Sequence, residues 1–161
     1  MGENNSVSPH EKPRFLGNID FNNESEVESV LETFENDTSS KTIETACVIK
    51  TNGDVFECYG IRDRVWVDVD IGDGLYGAIV SHNHPASVTE YSFSEDDPIL
   101  FEKYNLKELR GFDEKYRYVL TNADKSVDAI PEEWDTIENF QHSCMIRRAV
   151  NHGYGYRRYE R

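Results

Sequence analysis

Two histidines separated by one residue are the most chemically informative feature of this 161-residue sequence. His82 and His84 lie in the segment Ser81-His82-Asn83-His84-Pro85, at the end of a predicted strand. Side chains two positions apart on a strand project to the same side, so both imidazoles can reach one ion. Neutral imidazole is a good ligand for Zn²⁺, and Pro85 ends the strand because it has no N–H to donate. The alternative interpretation is two surface histidines before a loop, so a metal site also needs a third ligand and a base.

The segment Ser94-Glu95-Asp96-Asp97 offers the third ligand. A carboxylate from Asp97 would complete a three-ligand site and leave the fourth position for water, as catalytic zinc sites do. The same pattern is typical of a helix N-terminus, where Ser94 caps the first turn and acidic residues oppose the helix dipole. The two interpretations are compatible, because a helix start also fixes where Asp97 points. Pro98 disfavours helical geometry at the residue before it and predicts an irregular start.

Glu44 is the candidate general base for a zinc-bound water. It begins the apolar strand predicted over 44–49, where desolvation could raise the pKa of its carboxyl group toward the working range. An acidic residue in this position can equally mark the solvent-exposed end of a buried strand. Both interpretations remain open from the residues alone.

Glu44, His82-x-His84 and Ser94-x-x-Asp97, in this order, resemble the JAMM motif of the JAB/MPN metallopeptidase superfamily. The resemblance covers residues 42–122. It includes the strand and hairpin around the glutamate and the strand that carries the histidines, which look like those of bacterial and phage members. Four elements in the right order make the resemblance specific.

The resemblance implies a zinc hydrolase of peptide or isopeptide bonds, with a ubiquitin-like protein tail as one candidate substrate. His82, His84 and Asp97 would be the metal ligands, Glu44 would activate the water, and Ser94 would hydrogen-bond the tetrahedral intermediate. The family also contains RadC-like and phage-associated proteins, so the alternative is a non-catalytic binding or assembly module. A zinc hydrolase of a non-peptide amide is a third possibility.

The loop between the second histidine and the serine departs from the family pattern. It is two residues longer than the commonest spacing, which would select Ser92 and Glu95 instead. We prefer Ser94 and Asp97, because the residues from 93 to 97 are typical of a loop end and a helix start, and surface loops tolerate insertions. Glu95 and Asp96 remain alternatives for the third ligand.

The apolar pattern predicts elements that would position these residues. In chain order they are a helix over 24–36, strands over 44–49, 55–59, 65–69 and 76–82, a helix over 94–104, strands over 106–112 and 116–121, and a helix over 131–152. Asn52-Gly53 predicts a two-residue hairpin turn. The last helix is predicted to begin at a proline and to bury one stripe, formed by Trp134, Ile137, Phe140 and Cys144.

These elements predict an α/β (α+β) fold with one mixed sheet flanked by helices, in a single domain over 24–161. The resemblance implies that the fold is JAB/MPN-like. Residues 1–23, which are poor in apolar side chains, are predicted to be a flexible segment, and 156–161 a basic aromatic tail.

Composition limits the partners and the compartment. The net charge of −14 would repel phosphate backbones, so we expect no nucleic-acid binding; it suits a basic protein partner or simply a solvated surface. No apolar run is long enough for a membrane span and no signal peptide is recognisable. Cys47, Cys58 and Cys144 have no metal-like spacing, and the first two are expected in the core. A reduced cytoplasmic setting, in a bacterial cell or a phage-infected host, and a protein or peptide partner are therefore expected.

Overall fold

Strands and helices follow one another along the chain in a mixed order. A computed structural model of the protein describes residues 11–85, 92–133 and 136–161. The strands in these ranges are β1 (Arg14–Asn18), β2 (Thr45–Ile49), β3 (Asp54–Tyr59), β4 (Ile79–Asn83), β5 (Glu108–Phe112), β6 (Tyr116–Thr121) and β7 (Gly155–Glu160). The helices are α1 (Glu24–Thr38), α2 (Val67–Ile71), α3 (Asp96–Lys103) and α4 (Ile137–His152), with a 3-10 turn at Gly72–Leu75.

The strands of the described residues form one mixed sheet, in the order β1-β3-β2-β4-β5-β6-β7. Neighbouring strands are antiparallel except β4 and β5, which are parallel. A parallel pair needs a crossover connection, and α3 lies in the connection from β4 to β5. The predicted mixed sheet with helices is confirmed.

The sheet is covered on both faces. Central strands β2 and β4 are buried throughout, as their continuous apolar sequence predicts. Leu31 and Phe34 of α1 share one cluster with Ile49 and Phe112. The opposite face forms a larger cluster with α3 and α4, whose members include Val48, Val80, Leu109, Phe101, Ile146 and Ala149. The candidate ligands lie on this second face.

Helix ends follow ordinary capping chemistry where they can be assigned. Asn23 begins α1, because its side chain accepts a hydrogen bond from the backbone N–H of Glu26. Thr136 does the same for α4 through the N–H of Asn139. Gly153, with φ of +81°, ends α4 in the left-handed conformation that glycine adopts at little cost. The starts of both long helices and the end of α4 are thus specified by sequence.

In three predicted segments the type of secondary structure differs from the prediction. Residues 14–18, assigned to a flexible segment, form edge strand β1; the preceding residues 1–10 lie outside the described ranges. The predicted strand over 65–69 is wrong, because α2 begins at Val67. The alternation of Val and Asp also places Val67 and Ile71 one helical turn apart. A run this short therefore does not distinguish the two-residue period of a strand from the period of a helix. The predicted tail 156–161 lies mostly in strand β7.

The last helix is shorter than predicted and buries a different face. It begins at Ile137 rather than at 131, and Trp134 lies outside the described residues. Ile137, Phe140 and Cys144 of the predicted inner stripe are exposed. The buried residues are instead His142, Ser143, Met145, Ile146 and Ala149. The buried face therefore combines the polar His142 and Ser143 with three apolar residues, whereas the predicted stripe began among the apolar residues before and in the first turn of the helix.

The β2–β3 hairpin has a three-residue loop instead of the predicted two-residue turn. The N–H of Lys50 donates to the carbonyl of Asp54 at 2.9 Å, and the N–H of Gly53 donates to the carbonyl of Lys50 at 2.8 Å. Gly53 has φ of +92°, as expected for a turn followed by a left-handed glycine. The predicted core positions of Cys47 and Cys58 are confirmed. Across the described residues, no helix has the length and apolar character required to traverse a membrane.

Candidate metal centre

Strand β4 carries His82, and His84 follows the strand's last residue, Asn83, so that both imidazoles lie on the inner face of the sheet. Both residues are almost fully buried, with 3% and 4% of their surface exposed. Their Nε2 atoms lie 3.0 Å apart, so the imidazoles converge on one point. The predicted same-side projection of His-x-His is confirmed, and the interpretation as surface histidines is wrong.

Asp97, near the start of α3, approaches the two histidines. Its Oδ2 atom lies 3.2 Å from Nε2 of His82 and accepts the backbone N–H of Ser94 at 3.0 Å. The ligand-type atoms of His82, His84 and Asp97 all lie within 4.8 Å of one another. Two nitrogens from the end of β4 and one carboxylate oxygen from α3 therefore meet.

The alternative carboxylates are placed elsewhere. Glu95 and Asp96 are exposed, and Asp96 lies 3.8 Å from Arg64. Of the three candidates, the structure brings Asp97 to the histidines. The predicted side-chain cap by Ser94 is not formed, because the N-cap of α3 is Glu95 and it makes no side-chain cap bond. Ser94 instead contributes its backbone N–H to Asp97, which fixes the orientation of that carboxylate.

The commonest family spacing fits this geometry poorly. It would select Ser92 and Glu95, but Ser92 is buried and its Oγ lies 2.9 Å from the hydroxyl of Tyr156. Glu95 is exposed at the start of α3. Ser92 therefore contacts Tyr156 and is not placed to hydrogen-bond a reaction intermediate, the role that the shorter spacing would assign to it.

Burial and charge distribute one proton unequally between the histidines. Burial opposes the charged form of His82, but the carboxylates of Asp97 and Glu44 outweigh it and raise the pKa of His82 to about 9. Burial, together with the charge of His82, lowers the pKa of His84 to about 3. Burial opposes the Asp97 carboxylate, but the His82 charge lowers the pKa of Asp97. Without a metal, the proton on Nε2 of His82 thus points to Oδ2 of Asp97 and Nε2 of His84, the other two candidate ligand atoms.

Glu44 immediately precedes β2 and lies on the same face as the histidines. Ala46 pairs with His82 across the β2–β4 ladder, and Glu44 is two positions from Ala46, so its side chain projects to the same side. The residue is half-buried. Its charge is among the groups that raise the pKa of His82. The structure thus places Glu44 on the face of the predicted ligands, where its charge acts on His82.

Gly111 makes room for the imidazoles. It pairs with His82 across the parallel β4–β5 ladder. A Cβ atom at this position would lie 3.0 Å from Nε2 of His84, 3.0 Å from a ring carbon of Phe93 and 3.1 Å from a ring carbon of His82. The residue was not identified from sequence, although a glycine inside a predicted strand is the available signal for such a close approach. The two imidazoles therefore have room to converge because residue 111 has no side chain.

Asn83 is a second residue that sequence reasoning did not assign. It lies between the two histidines and is only 1% exposed. Its Oδ1 accepts the backbone N–H of Thr45 at 2.6 Å, and its Nδ2 donates to the carbonyl of Ile43 at 2.9 Å. No local sequence signal reports these bonds, because they depend on the pairing of strands far apart in the chain.

A buried network of side-chain hydrogen bonds holds the segment that leads to Asp97. The hydroxyl of Tyr156 lies 2.9 Å from Oγ of Ser92 and 2.8 Å from Nδ1 of His142. Burial, aided by the charge of Arg158, lowers the pKa of His142 to about 4, so its imidazole is neutral near pH 7. Asp128, 3.5 Å from Nε2, favours a proton on that nitrogen and leaves Nδ1 to accept from Tyr156.

A cleft of about 380 Å³ opens beside the centre, and Asp97 forms part of its wall. Apolar groups of Trp66, Leu100 and Tyr104 line it together with the cations Arg64 and Lys103 and two further acidic residues. The cleft lies between the α2 region and α3. It offers mixed apolar and polar surface next to the converging donors.

The chain matches no protein-family model, no curated protein and no solved structure.

Proposed function

We propose that this chain is a zinc-dependent hydrolase that cleaves peptide or isopeptide bonds, with a ubiquitin-like protein tail as a candidate substrate. The observation that carries the proposal is the convergence of His82, His84 and Asp97, with Glu44 on the same face of the sheet. The resemblance of their order and spacing to the JAMM motif supplies the reaction class.

The donor set fits zinc. Two imidazoles and one carboxylate are the ligand types of catalytic zinc sites, which keep a fourth position for water or substrate. His82 also hydrogen-bonds the backbone of Arg110, the kind of outer contact that orients a ligating imidazole. Gly111 provides the space in which both rings approach. A bound Zn²⁺ would supply a Lewis acid and lower the pKa of a coordinated water.

Two residues of the chain would transfer the proton of the attacking water and stabilise the negative charge of the tetrahedral intermediate. Glu44, half-buried near His82, would accept a proton from the attacking water and return it to the leaving amine. The hydroxyl of Ser94 would donate a hydrogen bond to the oxyanion of the tetrahedral intermediate. This role of Ser94 rests on the motif resemblance, while its backbone N–H holds Asp97.

The cleft beside Asp97 would receive the substrate chain. Its apolar wall suits an aliphatic or aromatic side chain, and Arg64 and Lys103 suit an acidic group or a carbonyl oxygen. The proposal therefore concerns a protein or peptide segment that enters next to the third ligand.

Metal content and the base are tested together. Purified chain loaded with Zn²⁺ is assayed against fluorogenic peptide amides and against ubiquitin-like proteins with C-terminal extensions. We expect cleavage that is lost with a chelator and restored with Zn²⁺. Glu44→Gln should lower kcat by a factor of about 10² or more while the metal content stays at the wild-type value. Equal turnover in this variant would remove Glu44 from the mechanism.

Neighbouring carboxylates give a matched test of the third ligand. Asp97→Ala should lower zinc affinity by at least about tenfold, because one donor is lost, whereas Asp96→Ala, which removes an exposed carboxylate of the same helix turn, should leave it unchanged. Competition with a chromogenic chelator measures both. A metal-loaded wild-type chain that cleaves none of the substrates would contradict the hydrolase and favour a binding module.

A further inference from the structure

We propose that Asn83 is a positioning residue that fixes Glu44 relative to the two histidines. The inference rests on the proposed function, because it gives Asn83 its importance through the base. Asn83 is neither a ligand nor in contact with the reacting atoms. Its side chain holds the backbone on both sides of Glu44.

The two hydrogen bonds of Asn83 bracket Glu44. The amide oxygen accepts from the N–H of Thr45, one residue after Glu44, and the amide nitrogen donates to the carbonyl of Ile43, one residue before it. The last Cα pair of the β2–β4 ladder is Ala46 with His82. The side chain of Asn83 therefore continues the hydrogen bonding just beyond that pair.

The other side of Glu44 is also tied. Its N–H donates to the carbonyl of Ile61 at 2.7 Å, and its carbonyl accepts the N–H of Gly60 at 3.0 Å. The backbone at Glu44 is thus held toward β3 by main-chain bonds and toward β4 by Asn83. Because its own position is fixed from both directions, its side chain must leave the backbone on the histidine face.

An asparagine suits this role for a chemical reason. The clamp needs one acceptor and one donor on a short, planar group, and the carboxamide supplies both. Aspartate would retain the acceptor for Thr45 but would oppose the carbonyl of Ile43 with a lone pair. Alanine would remove both bonds and leave two backbone groups without their partner.

The position of Asn83 in the chain makes the clamp specific for the base. It lies between His82 and His84, so one residue connects the backbone of the ligand strand to the backbone around Glu44. Beyond the last pair of the β2–β4 ladder, this side chain bonds the backbone on either side of Glu44 to the ligand strand. A misplacement of about 1 Å at a catalytic group is enough to lower a rate by about 10²-fold.

Double-mutant kinetics test whether Asn83 acts through Glu44. In zinc-loaded protein, Asn83→Ala and Asn83→Asp should lower kcat by about tenfold or more and change KM by less than about threefold. In a Glu44→Gln background, Asn83→Ala should cause no further fall, because the group that it positions is already absent. Multiplicative losses in the two variants, or unchanged kcat in both Asn83 variants, would overturn the inference.

A matched control separates positioning from general destabilisation. Asn122 also uses its Nδ2 to hold a backbone carbonyl, that of Leu106 at 2.7 Å, toward the opposite end of β5 and β6 from Gly111. Asn122→Ala should lower the unfolding midpoint but leave kcat at the wild-type value. Zinc affinity should stay within about threefold of wild type in both Asn83 variants, and a larger loss would assign Asn83 to ligand support instead.

Hydrogen exchange tests the clamp without substrate. In the metal-free protein, Asn83→Ala should accelerate exchange of the Thr45 amide by at least about tenfold relative to the Cys47 amide on the same strand. Unchanged protection of Thr45 would overturn the clamp whether or not the enzyme is active. Inactive wild-type protein with a protected Thr45 would instead overturn the proposed hydrolase and, with it, the catalytic importance of Asn83.

Discussion

At the scale of single residues, the centre is organised around the Nε2 atom of His82. It lies 3.2 Å from Asp97 and 3.0 Å from His84, so one hydrogen on this atom serves both contacts in the metal-free protein. A cation that takes up the same donors must displace that hydrogen. Metal binding and proton release are therefore coupled at this atom.

The coupling predicts a pH-dependent metal affinity. Because the pKa of His82 is raised to about 9, the competing proton is bound throughout the neutral range and is lost only as the pH rises through that value. Apparent zinc affinity should increase by about tenfold per pH unit between pH 6 and 8.5 and then level off. The pKa of His84, lowered to about 3, adds no further proton in this range.

Calorimetric titration with Zn²⁺ in buffers of different ionisation enthalpy measures the proton release directly. About one proton per ion is expected near pH 7. An affinity that stops rising above pH 7 would mean that His82 titrates near the ordinary histidine value. His82→Ala should abolish the release together with most of the affinity.

The sequence predicted the residues that converge but not the ones that hold them. His82, His84 and Asp97 follow from residue type and spacing, and the choice between Asp97, Asp96 and Glu95 needed the real start of α3. The clamp by Asn83 could not be predicted, because its partners belong to another strand. Only the strand register brings those groups within reach.

At the scale of elements, the β4–β5 pair creates the space for the donors. Gly111 on β5 faces His82 on β4, and both imidazoles and Phe93 occupy the volume that a side chain would take. Phe93 is buried, with its ring centre 6.1 Å from that of His82 and 6.4 Å from that of His84. The glycine therefore matters for packing around the centre rather than for backbone conformation.

Gly111→Ala should weaken the centre while the fold is retained. The added Cβ would be 3.0 Å from Nε2 of His84, so the rings must shift by a few tenths of an ångström. We expect zinc affinity to fall by about tenfold or more, with a loss of about 1–3 kcal/mol in the free energy of unfolding from the overpacking. Chelator competition and denaturant unfolding measure the two effects. Affinity equal to wild type would show that the rings have room to move.

The link between β7, α4 and the loop end is a second element-level feature. The hydroxyl of Tyr156 on β7 contacts Ser92 and His142, which belong to two other segments. Ser92 precedes Asp97 by only a few residues, so this hydroxyl holds the approach to the third ligand. These two contacts of the Tyr156 hydroxyl, which we call the Tyr156 tie, join strand β7 to the segment before α3 and to α4.

Tyr156→Phe should therefore lower both stability and zinc affinity. Loss of the hydroxyl removes the hydrogen-bond partner that Oγ of Ser92 shares with Nδ1 of His142, which costs about 1–3 kcal/mol of unfolding free energy. Zinc affinity should fall by a smaller factor, about threefold to tenfold, through Asp97. Tyr159→Phe is the matched control, because Tyr159 is exposed on the same strand; it should change stability by less than about 0.5 kcal/mol. Equal unfolding free energies and equal zinc affinities in the two variants would show that the Tyr156 hydroxyl does not hold the segment before Asp97.

Element type was predictable where the apolar pattern was long and less so where it was short. Helix α1 and strands β2 and β4 follow from their periodicity and continuous apolar runs. The Val67–Ile71 segment is too short for its period to be decided. The inner face of α4 was missed because it joins three apolar residues to a polar one, His142, whose buried partners no local pattern reveals.

At the scale of the whole molecule, Glu35 joins parts that are remote in sequence. Its carboxylate, on α1, accepts hydrogen bonds from Arg117 on β6 at 2.7 and 2.8 Å and from the terminal Arg161 at 2.8 Å. Burial opposes its charge, but the two guanidinium groups outweigh it and lower the pKa of Glu35. In a chain of net charge −14, this pairing gives one buried carboxylate two cations.

Glu35→Gln should destabilise the whole fold at neutral pH by about 1–3 kcal/mol, because the charge-assisted hydrogen bonds of the carboxylate with Arg117 and Arg161 are weakened. The folded pKa lies below the ordinary value of 4.5, so the contribution is present above that value and is lost as the pH falls through the folded pKa. The difference between variant and wild type should thus shrink in acid. Urea unfolding at pH 7 and at pH 3 measures it. Glu32→Gln, at an exposed position of the same helix, should change stability by less than about 0.5 kcal/mol.

The three donors come from one short stretch of chain, since His82 and Asp97 are 15 positions apart. The entropy lost on closing a loop grows only slowly with its length, so even the unfolded chain could close this one around an ion at modest cost. Weak capture by the unfolded chain would reduce the stability that zinc adds to the native state. Glu44 comes from a distant strand and joins the donors only when β2 and β4 pair. The three donors are thus local in the chain, whereas the carboxylate on their face reaches them only through long-range strand pairing.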